Sequence, residues 1–180
     1  MDLQRLGLAA PDLALFDIDP GNRTSFDDVL VLARLHRTAL EHLGIEGRPK
    51  VSGQRGIQIW VPIEPRYTFS ETRAWAEGVS RAIGNTVPEL VSWSWSKVDR
   101  HGRARLDYTQ NAINKTLVAP YGVRPRPGAP VSVPLEWDEL DDPGLEPDGW
   151  SIRTVLDRLV SVGDPFSPLL GMEQTLPSLE

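Results

Sequence analysis

Residues 13–21, LALFDIDPG, decide how the chain reads. The apolar run from Leu13 to Ile18 is a strand, and Pro20–Gly21 ends it in a turn. Side chains two apart in a strand share a face. Phe16 and Ile18 therefore turn to the core, while Asp17 and Asp19 turn the other way together. Two neighbouring carboxylates repel unless a cation or a shared proton lies between them. All-oxygen donors favour Mg²⁺ or Mn²⁺ over zinc. An isolated Asp-x-Asp is more commonly a solvent-facing strand end running into an Asp-Pro-Gly turn, so the pair alone does not decide its own chemistry.

Working outward, a helix is expected over 26–43. Ser25 caps it, Asp27 and Asp28 sit where the helix dipole favours them, and Gly44 stops it. Its apolar stripe is Val29, Leu32, Ala33, His36, Leu40 and Leu43. A short strand at 50–52 leads through the Gly53–Gly56 turn to a strand over 57–62. A second helix is expected over 71–83, capped by Ser70, ended by Gly84 and packing through Trp75, Val79, Ala82 and Ile83. Val91, Trp93 and Trp95 alternate with serines, so 91–109 reads as a hairpin turning at His101–Gly102. Leu117–Ala119 is a further short strand, 120–134 an ordered loop rich in proline and arginine, and 138–148 an acidic turn region. A third helix over 151–162 carries Ile152, Val155, Leu156, Leu159 and Val160 on one face. Residues from Asp164 lack periodicity and are expected to be mobile. The result is an α/β (α+β) domain, a mixed and largely antiparallel sheet with flanking helices, in a core unit over 1–163 and a tail over 164–180.

Bulk composition narrows the function. The chain has 180 residues, one domain's worth, and no cysteine, so thiolate catalysis and zinc–thiolate sites are excluded. No apolar run is long enough to span a membrane, and the N-terminus lacks a secretory pattern, as expected of a cytoplasmic protein. Net charge is -6, yet residues 92–130 hold Lys97, Arg100, Arg103, Arg105, Lys115, Arg124 and Arg126 against two acids, Asp99 and Asp107. A basic stretch in an acidic chain suggests a local anionic ligand, and equally a solvated arginine-rich hairpin.

Asp107 sits within RARLDYTQN, flanked by Leu106 and Tyr108, and needs a partner. Arg105 would make a surface ion pair of little value. A metal shared with Asp17 and Asp19 would instead give three carboxylates around divalent ions, one solution to phosphoryl transfer. Ser52-Gly53-Gln54-Arg55-Gly56 is a turn whose backbone N–H groups can cradle phosphate oxygens. Gln110 and Asn111 follow Asp107, and Arg124 and Arg126 lie two apart in an extended segment where both forks can meet one anion. His36, His42 and His101 have no metal-ligand spacing. The six tryptophans read as packing residues, with Trp60 and Trp150 the candidates for stacking on a base.

In order and spacing, FDIDPG, VSGQRGIQIWVPI, KVDRHGRARLDYTQN and KTLVAPYGVRPRPGAPVSVPLEWDEL resemble the polymerase domain of bacterial ligase D, of the archaeo-eukaryotic primase superfamily, from about Asp12 to Gly163. The resemblance implies a primase-polymerase catalytic core. It implies Asp17, Asp19 and Asp107 as catalytic metal ligands for Mn²⁺ or Mg²⁺. It implies Ser52, Arg55, Gln58, Arg100, Gln110, Arg124 and Arg126 around a nucleoside triphosphate. The reaction would be attack of a DNA 3′-hydroxyl on the α-phosphate in non-homologous end joining. DNA ends or gapped DNA would be substrates, and a ligase or Ku-type protein a partner. Three departures stand out. The family has histidine where Gln58 stands, and lysine more often than arginine at position 55. The family also carries basic residues that grip a DNA 5′-phosphate in a sizeable segment ahead of the aspartate pair; here about a dozen residues precede the motif, which reads as an N-terminally shortened form. These departures motivate an alternative: a non-catalytic relative that binds nucleotide or DNA as a scaffold or subunit of a repair complex. A metal-dependent phosphohydrolase using the same carboxylates is the third reading.

Overall fold

The structure, a computed structural model, describes residues 10–179. Residues 1–9, which belong to the core unit expected over 1–163 and to the N-terminus read for a secretory pattern, lie outside the described residues, as does Glu180. Four strands, β1 (Leu13–Asp19), β2 (Arg48–Val51), β3 (Ile57–Pro62) and β4 (Arg105–Asp107), form one sheet in the order β2-β3-β1-β4. Every pairing in it is antiparallel. The aspartate strand is thus internal, flanked by β3 and β4.

Helices α1 (Phe26–Leu43) and α2 (Phe69–Thr86) cover one face of the sheet. Ala14, Phe16 and Ile18 are at most 1 % exposed beneath them. Phe16 meets the His36 ring of α1 edge-on at 5.1 Å and the Trp75 ring of α2 at 5.7 Å. Ser25 and Asp28 form a reciprocal capping box at the start of α1, and Gly44 closes it in the left-handed conformation. The start of α2 is two residues earlier than the sequence suggests. Thr68, not Ser70, is the cap, because Thr68 and Glu71 satisfy each other's backbone N–H. Gly84 does not end this helix. It lies inside, where a Cβ would come within 2.5 Å of the Trp93 ring, so its bareness serves packing.

Four further expectations are corrected. Residues 91–109 are not a hairpin. Val91 makes one isolated parallel bridge to Ala104, and the chain between them is loop and turn. The cause is Arg100, only 4 % exposed, whose guanidinium takes the Ser94 and Trp95 carbonyls and so curls the segment around itself. Leu117–Ala119 is not a strand; β2 is instead extended on its outer edge by 131–135, through Val51–Val133 and Pro49–Leu135 hydrogen bonds. The tail from Asp164 is docked rather than loose. Phe166 packs on Trp60, Gln174 bonds the backbones of Glu46 and Pro62, and the Pro177 carbonyl accepts from the Trp75 indole. The third helix, α3 (Val155–Val162), is shorter than expected. Of its stripe only Val155 is buried, while Leu156 and Val160 are exposed. Among the described residues no helix is long and apolar enough to cross a membrane.

Candidate active site

The register of the sheet builds the site. Asp17 on β1 stands opposite Gln58 on β3 and opposite Asp107 on β4, and Asp19 stands opposite Arg105. Three carboxylates therefore gather at one end of two adjacent strands. β4 stops there because Asp107 turns the chain into a short 3-10 helix, Tyr108–Gln110. Where β4 leaves the ladder, the Asn111 side chain replaces it. Its Oδ1 accepts from the Leu15 N–H at 2.8 Å, and its Nδ2 donates to the Leu15 carbonyl at 2.8 Å. Asn111 is structural, and it holds β1 straight up to the aspartates.

A cleft of about 300 Å³ opens on this end of the sheet. Of the residues named from the sequence, Asp17, Asp19, Ser52, Arg55, Gln58, Gln110 and Arg124 line it. The 52–56 turn is closed by Ser52, whose backbone N–H donates to the Gly56 carbonyl and whose hydroxyl accepts from the Gly56 N–H. Gly53 lies at φ +70°, and a Cβ there would be 2.9 Å from Arg124 Cγ. Glycine thus lets the turn sit directly on the Arg124 stem. Arg55 donates to the Gly21 carbonyl at 2.5 Å. The buried Arg124 Nε has no hydrogen-bond partner among the described residues.

Asp107 and Arg100 stand just behind the cleft. Asp107 is buried, and its oxygens are taken by the Thr109 N–H and hydroxyl, by Gln110 Nε2 at 3.2 Å and by Arg105 at 3.4 Å. Arg100 donates to Asp19 Oδ2 at 2.7 Å. Arg126 is exposed and away from the cleft lining. Two cationic residues outside the set of expected site residues complete the surroundings. Lys97 lines the cleft, and the basic stretch around it was the available signal. Lys50 is fully buried on β2, its Nζ donating to the Ser132 hydroxyl at 2.5 Å. Burial pushes its amine down to about 7, while the Asp17 charge pulls the other way. A buried lysine on a short strand leaves no trace in hydropathy. His36 lies outside the site, with one ring nitrogen 2.7 Å from the Leu32 carbonyl.

Electrostatically, Asp17 is the strained member. Burial pushes its carboxyl up to about 6; Asp107 and Asp19 add to the rise, and the Gln58 hydrogen bond and Lys50 oppose it. Gln58 donates from Nε2 to Asp17 Oδ1 at 3.0 Å, leaving its own Oε1 buried and with no partner among the described residues. The donor set suits a hard divalent cation, and the raised Asp17 carboxyl marks a place short of positive charge. As arranged, no group of three or more acidic, histidine or cysteine side chains among the described residues is grouped to hold a metal. Arg100 fills the cationic role at Asp19, and Thr109 and Gln110 satisfy Asp107.

The family model "LigD, primase-polymerase domain" matches residues 3–166. The chain is similar to the bifunctional non-homologous end joining protein LigD of Bacillus subtilis, 34 % identical over 157 residues, covering 87 % of this chain and 26 % of that protein. Similarity to the multifunctional LigD of Mycolicibacterium smegmatis is 33 % identity over 155 residues, covering 86 % of this chain and 20 % of that protein. Among solved structures, the polymerase domain of Mycobacterium tuberculosis ligase D in complex with DNA superposes with a TM-score of 0.83 at 30 % identity, over 92 % of this chain and 57 % of that one. The chain thus spans about a quarter or less of these two LigD proteins.

Proposed function

The chain belongs to the LigD primase-polymerase family, and on that premise we propose that it is a template-dependent nucleotidyltransferase that extends a DNA 3′-hydroxyl in non-homologous end joining. The observation that carries this reading is the convergence in one cleft of Asp17 and Asp19 with the Ser52–Gly56 turn, Gln110 and Arg124, from four separate stretches of sequence. A nucleoside triphosphate suits that lining. Arg55, Lys97 and Arg124 supply positive charge for the phosphates, and the turn offers backbone N–H groups. Gln58 orients Asp17 through its amide.

Asp17, Asp19 and Asp107 would hold Mn²⁺ or Mg²⁺, which supplies the charge neutralisation that phosphoryl transfer needs. For all three to act together, Arg100 must release Asp19 and the Asp107 carboxyl must turn from Thr109. The chain's own contribution is to bury and align the acids, and to present fixed cations to the departing pyrophosphate.

Primer extension on a gapped template carrying a 5′-phosphate, with Mn²⁺, tests this. The parent is expected to extend the primer and the Asp17→Ala, Asp19→Ala double variant is not. Extension by the double variant would sink the site assignment. One observation favours a second reading, a non-catalytic DNA-binding relative: all three acids are already engaged, Asp17 by Gln58, Asp19 by Arg100 and Asp107 by Thr109 and Gln110. DNA binding by the parent without extension would establish that reading instead. Phosphate release without strand growth would point to a hydrolase.

A further inference from the structure

Of the six tryptophans, Trp95 alone is exposed, at 65 %. Trp60 and Trp150, the two marked from the sequence as possible base-stacking rings, are half-buried against Phe166 and Arg158. Trp93, two residues before Trp95, packs on Tyr108 and the Arg81 guanidinium. An open indole forgoes a large burial gain, so its retention at the surface calls for a reason.

The ring is not loose. The Arg105 guanidinium carbon lies 3.5 Å from its centroid, contact distance for stacking. Arg105 comes from β4, is 3 % exposed and reaches Asp107 at 3.4 Å, so it is a fixed floor under the indole. The Trp95 backbone is held as well. Its carbonyl accepts from Arg100, the arginine that also binds Asp19. Two buried arginines therefore clamp Trp95, and each ends on a carboxylate of the candidate active site. With one face on Arg105, the ring's exposure belongs to its other face and edges.

We infer that Trp95 is a stacking platform for an unpaired nucleobase of the DNA strand brought to the carboxylates. This deepens the polymerase reading and rests on it. The surroundings choose the ligand. Ser94, Ser96 and Lys97 adjoin the ring, and Lys97, Arg100 and Arg103 outnumber Asp99. Within 94–103 Val98 is the one other exposed large apolar side chain, set among serines and cations. A base brings a flat π-face with a phosphate attached, which suits an indole on a basic loop.

The test is fluorescence anisotropy with a labelled DNA duplex bearing a single-stranded overhang, and with the same duplex whose overhang is abasic. The parent is expected to bind the base-bearing overhang about tenfold more tightly, or about 1.4 kcal/mol. Trp95→Ala should lose that preference, and Trp95→Phe should recover most of it. Equal binding of both duplexes by the parent would overturn the inference. So would equal weakening of both by Trp95→Ala, which would mean the ring merely braces Arg105. Failure of the parent to bind either duplex would instead overturn the polymerase reading, and this with it.

Discussion

Asp17→Asn should stabilise the metal-free protein at neutral pH, and the size of the gain follows from the burial of Asp17. Its carboxyl is pushed from the ordinary 3.8 up to about 6. Between those values the folded chain holds a proton that the unfolded chain has given up. The group's favourable contribution is complete below pH 3.8 and is lost as pH rises through 6. Above pH 7 the charge costs about 3 kcal/mol relative to the neutral group, at about 1.36 kcal/mol per pH unit. Asparagine keeps the shape and still offers Oδ1 to Gln58 Nε2. Urea denaturation in EDTA at pH 7.5 should then find the variant more stable by about 3 kcal/mol, with a melting temperature roughly 6–12 °C higher. The difference between the two proteins should shrink as pH falls and vanish near pH 4. That difference is the right quantity, because His36 works the other way in both. Burial holds its imidazole down to about 4, so its contribution is present above pH 6.5 and is lost as pH falls through 4. Adding Mn²⁺ should stabilise the parent more than the variant, which offers a neutral amide oxygen where the parent has a charged carboxylate. A variant no more stable than the parent at pH 7.5, or a gap that persists at pH 4, would refute the reasoning.

Other perturbations separate the roles of the neighbours. Asn111→Ala strips the Leu15 N–H and carbonyl of their partners and should cost about 2–4 kcal/mol in urea denaturation. Arg100→Met removes the cation from Asp19 and should raise Mn²⁺ affinity about tenfold by calorimetric titration, the scale of one charged hydrogen bond. Gly53→Ala strains the turn and pushes on Arg124, so the Kd for a nucleoside triphosphate should rise with little change in Mn²⁺ binding. Gln58→His replaces a neutral amide with a side chain that can carry charge to phosphate, and KM for the triphosphate should fall.

The local rules reached far in this chain where the signal was local. The alternation of 13–19 placed Phe16 and Ile18 inward and both aspartates outward, as found. Ser25 and Gly44 bounded α1 at the expected residues. The misses came from distant partners. Gly84 reads as a helix stop until Trp93 is known to pack on it. The Trp and Ser alternation of 91–96 reads as a strand because nothing nearby announces that Arg100 will fold the segment around its guanidinium to reach Asp19, 81 positions away. Lys50 was passed over because its partners, Ser132 and Asp17, lie on other elements. Trp95 read as one more inward ring, and became visible only once the hairpin was gone.

Those misses share a cause, and it bears on how the site works. Each acid of the site is held by its own donor: Gln58 and Arg100 reach Asp17 and Asp19 from distant positions, and Thr109 and Gln110 reach Asp107 from two and three residues on. Buried carboxylates without a cation need such partners, or they take up protons. The donors differ in strength. Gln58 is neutral and leaves Asp17 raised to about 6, whereas Arg100 brings a full charge at 2.7 Å to Asp19. A divalent ion entering this cluster therefore gains most at Asp17, where charge is least compensated, and must compete hardest at Asp19. If the three acids hold a divalent ion as proposed, the ion would displace only a neutral amide at Asp17 but a guanidinium at Asp19. Displacing Arg100 from Asp19 would also loosen its hold on the Trp95 carbonyl, so the proposed metal site and the proposed stacking platform would share one guanidinium.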